Sequence, residues 1–115
     1  MSPATSLARS WTCDGCGVTA SRIDRESVPL PTTWIETEEG CFCLVCRRQR
    51  AAEEALVAAP NSPLNARAKL RRTALIEFEV SRTPEQTDGT IARACRTSTA
   101  VVTQARRRLR LPDPA

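Results

Sequence analysis

The spacing of apolar residues changes character near Leu44. Between Trp11 and Cys46 the chain reads as short extended pieces separated by the turn signals "VPLPTTW" and "EEG". From Leu44 the spacing is helical: "LVCRRQRAAEEALVAA" predicts a helix to about Ala59. Pro60 and Pro63 then break the chain, since neither can continue a helix interior. Ser62 is the expected cap of a second helix with Pro63 in its first turn, running through "PLNARAKLRRTALIEFEV" to about Val80. Its end, "IEFEV", alternates strictly and also fits a short strand; the good helix formers ahead of it favour helix. After the loop "SRTPEQT", the stretch "DGTIARAC" predicts a short helix capped by Thr87, with Ile91 and Cys95 on one face and the small Ala92 where a next helix can approach. Ser98 caps a last helix in which Val102, Ala105 and Leu109 repeat at three and four.

These patterns predict a tail over 1–10, an α+β module over 11–59, a linker over 60–63, a three-helix domain over 64–111 and a second tail over 112–115. Composition sharpens that picture. In 115 residues the aromatic side chains are Trp11, Trp34, Phe42 and Phe78. Cores that small need support from metal or disulfides, and there are six cysteines. Charge is uneven: residues 1–60 carry six Lys/Arg against eight Asp/Glu, whereas 61–115 carry eleven against five. A basic second half suits a polyanionic partner, because neutralised phosphates release counterions. Neither a signal peptide nor a membrane-spanning stretch is visible, so the expectation is a cytoplasmic protein without membrane contact, whose thiols stay reduced and bind metal.

Cys13-Asp-Gly-Cys16 and Cys43-Leu-Val-Cys46 are two CxxC pairs. Two intervening residues let both thiolates converge on one ion while turn amides donate to the sulfurs, and Gly15 and Gly17 supply the tight backbone. The chain has no histidine, so the expected cofactor is one structural Zn2+ held by Cys13, Cys16, Cys43 and Cys46. Cys41 is the alternative ligand, a redox thiol or a buried residue, and four cysteines can also hold an iron–sulfur cluster or a redox dithiol. A knuckle, then a hairpin containing Trp34, then ligands on the first turn of a helix resembles the treble-clef class of zinc fingers over residues 11–58, with a zinc ribbon as the near alternative.

The phrase "IARACRTSTAVVTQARRRL" resembles the helix-turn-helix signature "IA…GVS…TV…R..L" of small bacterial transcription regulators and partition- or replication-linked proteins. With the helix from Pro63 the likeness covers residues 63–111. Arg96 stands where that signature has glycine, so the turn is altered or bears strain. Cys95, replacing an aliphatic residue, reads as a small buried hydrophobe, with a thiol sensor as the alternative. The resemblance implies sequence-specific binding of double-stranded DNA. The stripe Val102, Ala105 and Leu109 anchors the last helix, and Ser98, Thr99, Ala100, Thr103, Gln104 and Arg107 project outwards. In a major groove Gln104 suits adenine, Arg107 suits guanine or a phosphate, and Ala100 or Thr103 suits a thymine methyl. The helix N-terminus suits a phosphate. Arg96, Arg106, Arg108 and Arg110, with Arg71 and Arg72, are the expected phosphate contacts.

Without histidine, tyrosine, a glycine-rich phosphate loop or a catalytic triad, an enzyme is not expected. A single recognition helix makes few base contacts, so a homodimer is expected. The alternatives to a regulator are a protein-interaction adaptor with a partner on the zinc module, and a thiol redox sensor acting through Cys41.

Overall fold

A computed structural model describes residues 7–22 and 26–113. The chain divides into two compact units, Met1–Gln49 and Arg50–Ala115.

The strands of the first unit are short: β1 (Leu7–Ala8), β2 (Ser10–Thr12), β3 (Thr19–Ser21), β4 (Val28–Pro29), β5 (Ile35–Thr37) and β6 (Gly40–Phe42). They form three antiparallel ladders, β1 with β4, β2 with β3 and β5 with β6. In β2 the period of two turns Trp11 partly inward between exposed Ser10 and Thr12. Its indole N–H donates to the Val28 carbonyl at 3.0 Å, which ties β2 to β4. Two-stranded ladders are marginal in water by themselves. Here they surround a small core of Cys13, Cys43 and Cys46 against which Trp34 and Phe42 pack.

The expected tail is shorter than the sequence suggested. Residues 1–6 lie outside the described residues, and Leu7–Ala8 are already paired with Val28–Pro29. That pairing joins two-residue segments about twenty positions apart, which no local pattern of the chain marks.

The helices begin with α1 (Leu44–Val57), within which the division between the units falls, ahead of the Pro60–Pro63 break. Three helices follow: α2 (Leu64–Arg82), α3 (Asp88–Cys95) and α4 (Thr99–Arg108). Ile76 and Val80 of α2, Ile91 and Ala92 of α3, and Val102 and Ala105 of α4 form one buried cluster, edged by Cys95, Val101, Leu109 and Leu111. "IEFEV" is helical throughout, because Ile76 and Val80, four apart, both reach that core.

Two of the three expected caps are made. The Thr87 hydroxyl accepts from the Thr90 amide at 3.2 Å, and the Ser98 hydroxyl from the Val101 amide at 3.3 Å. Ser62 does not cap α2. Pro63 occupies the cap position with no side-chain hydrogen bond, and the Ser62 amide instead closes the turn after α1 by donating to the Ala59 carbonyl. No helix among the described residues is long and apolar enough to cross a membrane.

Candidate functional site

The first unit converges on four sulfurs. Cys13 and Cys16 flank the turn between β2 and β3; Cys43 precedes α1 and Cys46 lies in its first turn. The ligand atoms of Cys13, Cys16, Cys43 and Cys46 all lie within 4.8 Å of one another. The Cys13 and Cys46 sulfurs are 3.6 Å apart, and those of Cys16 and Cys43 are 3.7 Å apart. A tetrahedral ion with metal–sulfur bonds of about 2.3 Å holds its sulfurs about 3.8 Å apart, so the cluster fits one four-coordinate metal ion.

Local backbone explains the convergence. The turn closes through Cys13 N–H to Val18 O at 2.8 Å and Gly17 N–H to Cys13 O at 2.9 Å. A Cβ on Gly15 would meet the Cys46 sulfur at 2.7 Å, so only glycine lets the second cysteine pair approach. The amides of Gly15 and Cys43 donate to the Cys13 sulfur at 3.4 and 3.3 Å. Burial pushes the Cys13 thiol up, but the amides of Cys43, Cys16 and Gly15 with the Cys46 thiol outweigh it, and the group falls to about 6. Cys46 is pushed up to about 12, chiefly by its hydrogen bond with Cys13 and then by burial.

Cys41 lies outside the four-sulfur cluster. It is buried, and burial followed by the carboxylates of Glu36 and Asp14 pushes its thiol up, the reverse of what a reactive thiol needs. Its backbone is engaged in another way. Asp14 N–H donates to Cys41 O at 2.8 Å, and Cys41 N–H donates to Asp14 Oδ2 at 2.7 Å. This two-bond clamp joins the Cys13–Cys16 turn to β6, which leads into Cys43. Gly40 makes room for it, since a Cβ there would overlap Asp14 Oδ2. Sequence reasoning passed over Asp14; an acidic residue between two ligands was its one local signal.

In the second unit the α4 side chains separate into two faces. Val102, Ala105 and Arg106 are buried, whereas Ser98, Thr99, Ala100, Gln104 and Arg107 are exposed and Thr103 is half-buried. The Thr103 hydroxyl donates to Asp88 Oδ2 at 2.7 Å, with the Thr99 carbonyl at 3.0 Å.

The expected arginine contacts do not form one set. Arg106 is 1% exposed and is no surface cation. Its Nε donates to Asp88 Oδ1 at 2.8 Å, Nη1 to the carbonyls of Pro84 and Pro112, and Nη2 to that of Gln86. Arg106 therefore cannot reach a phosphate, and Pro112, expected in a tail, is one of its acceptors. Burial selects it because residue 106 falls on the same side of α4 as Val102. Arg108 remains at the surface but donates to Glu77 Oε2 at 2.9 Å. Arg96, Arg107 and Arg110 are exposed, and none of them has a carboxylate partner among the described residues. Arg71 and Arg72 are exposed on α2, and Arg72 Nη2 donates to the Arg96 carbonyl at 3.2 Å. Arg96 has φ 56° and ψ 48°, so of the two alternatives the turn keeps its left-handed form and the arginine bears the strain. Asp88, which organises both Arg106 and Thr103, had no local signal beyond its place at a helix start.

Compared with protein-family models, with curated proteins and with solved structures, the chain matches none.

Proposed function

We propose that this is a sequence-specific double-stranded-DNA-binding protein of the transcription-regulator type, in which α4 is the reading helix and a treble-clef-like module is held by one structural zinc ion. The observation that carries the reading is the outward stripe of α4. Ala100, Gln104 and Arg107 stand exposed on a helix whose opposite face is locked into the core, in the half of the chain that carries the excess of basic residues. An amide or guanidinium side chain can pair with a purine edge, and small methyl groups suit thymine. Two capped helices with a tight turn between them support the likeness to helix-turn-helix proteins.

Zinc fits the four-thiolate donor set, and a closed site of that kind leaves no open position for catalysis. The protein acts in the cytoplasm in this reading, as a homodimer and not as an enzyme. A protein-interaction adaptor is the second reading, favoured by the exposed apolar side chains of Val45, Val57 and Leu64.

Selection from randomised duplex DNA with the zinc-loaded protein at near-physiological salt tests the choice. An enriched motif is expected, with Gln104→Ala and Arg107→Ala each losing about 1–3 kcal/mol of discrimination at one position and leaving folding intact. Selection without enrichment would leave the adaptor.

A further inference from the structure

Both α3 and α4 end in the same unusual way. After α3, Arg96 N–H donates to Arg93 O at 3.3 Å and Thr97 N–H to Ala92 O at 2.9 Å. After α4, Arg110 N–H donates to Arg107 O at 3.0 Å and Leu111 N–H to Arg106 O at 3.1 Å. These paired bonds are the Schellman helix ending, whose closing residue is left-handed and is usually glycine. Here it is arginine both times, each with φ 56°. A Cβ in that conformation is strained, and strain retained at two equivalent places calls for something the side chain does.

A cation at a helix end also interacts favourably with the helix dipole. That does not account for the choice, because Arg93 already lies in the last turn of α3 and Arg106, Arg107 and Arg108 in that of α4. Nor do ion pairs account for it, since neither Arg96 nor Arg110 has a carboxylate partner among the described residues. At the first turn Arg72 adds a second guanidinium, donating to the Arg96 carbonyl. The two left-handed arginines bracket α4. Ten helical residues span roughly 15 Å, comparable to the roughly 12 Å width of the major groove.

We propose that Arg96 and Arg110 form a two-point phosphate clamp, one at each end of α4, kept in left-handed positions at the expense of fold stability. This rests on the reading of α4 as the DNA-reading helix. The clamp engages backbone phosphates and sets the depth and register of the helix, while the stripe between its points reads bases.

The test uses the full-length, metal-loaded protein with Arg96→Gly, Arg110→Gly and the double variant. Thermal unfolding is followed by helical ellipticity, and binding to mixed-sequence duplex DNA is measured at stepped potassium chloride concentrations. Each glycine is expected to raise the unfolding midpoint by roughly 2–5 °C, because it relieves a strained residue. Each is also expected to lower the slope of log affinity against log salt by about one. Arg96→Ala and Arg110→Ala, which remove the charge without relieving the backbone, lower the slope without raising the midpoint. A raised midpoint with the wild-type slope, or a midpoint that falls with glycine, overturns the clamp while leaving α4 as a reading helix. Wild-type protein that binds no duplex at any salt concentration overturns both.

Discussion

Asp14 lies between two cysteines of the four-sulfur cluster, yet its carboxylate faces Cys41, which is not part of that cluster. It holds the Cys13–Cys16 turn in register with β6, so that Cys43 and Cys46 arrive opposite their partners. Such outer groups typically change metal affinity by 10–100-fold. Asp14→Ala is accordingly expected to weaken zinc retention about tenfold or more in a chelator competition, while Asp14→Asn, which still presents an acceptor oxygen, stays near wild type. Equal loss in both variants would mean that charge rather than the clamp matters. At this scale the ligands were legible in the sequence because CxxC spacing is local chemistry. The clamp was not, because Asp14 and Cys41 meet only when β6 folds back on the turn.

Helices α3 and α4 are tied by a polar anchor as well as by packing. Asp88 at the start of α3 receives Arg106 and Thr103 from α4. Its carboxyl is held below the usual range by the Thr103 hydroxyl first, then, against burial, by the Arg106 guanidinium. A depressed folded pKa stabilises above the unfolded value of about 3.9 and loses that contribution as pH falls through the folded value. Asp88→Asn should therefore lower stability at neutral pH and flatten the loss below about pH 4, read from urea unfolding across pH. Arg106→Met, which strands a carboxylate and the Pro84, Gln86 and Pro112 carbonyls, should cost about 3 kcal/mol or more. The element boundaries were largely readable. Caps such as Thr87 and Ser98 announce themselves by residue type, whereas Ser62 has the right type but its backbone serves the preceding turn.

At the scale of the whole molecule the two units have different sources of stability. The first has three two-stranded ladders and a cysteine core, and the second an apolar core shared by three helices. Structural zinc sites contribute about 10–16 kcal/mol in comparable small modules, far more than such ladders supply. Trp11 and Trp34 both belong to the first unit, so tryptophan fluorescence reports on it and far-ultraviolet ellipticity mainly on the helices. A strong chelator is expected to abolish the native fluorescence while most of the ellipticity survives; coincident loss of both signals would mean that the units fold as one. The sequence by itself determined what depends on neighbours in the chain: the two cysteine pairs, the helices, two caps and the anchoring stripe of α4. Tertiary structure alone decided how the arginines are used. Arg106, Arg107, Arg108 and Arg110 are alike in the chain, but one is buried on Asp88, one is paired with Glu77 and two face solvent. The reason is that the partners, Asp88 and Glu77, are brought close only in folding; the helical register of residue 106 with Val102 marks its face but not the groups that receive it.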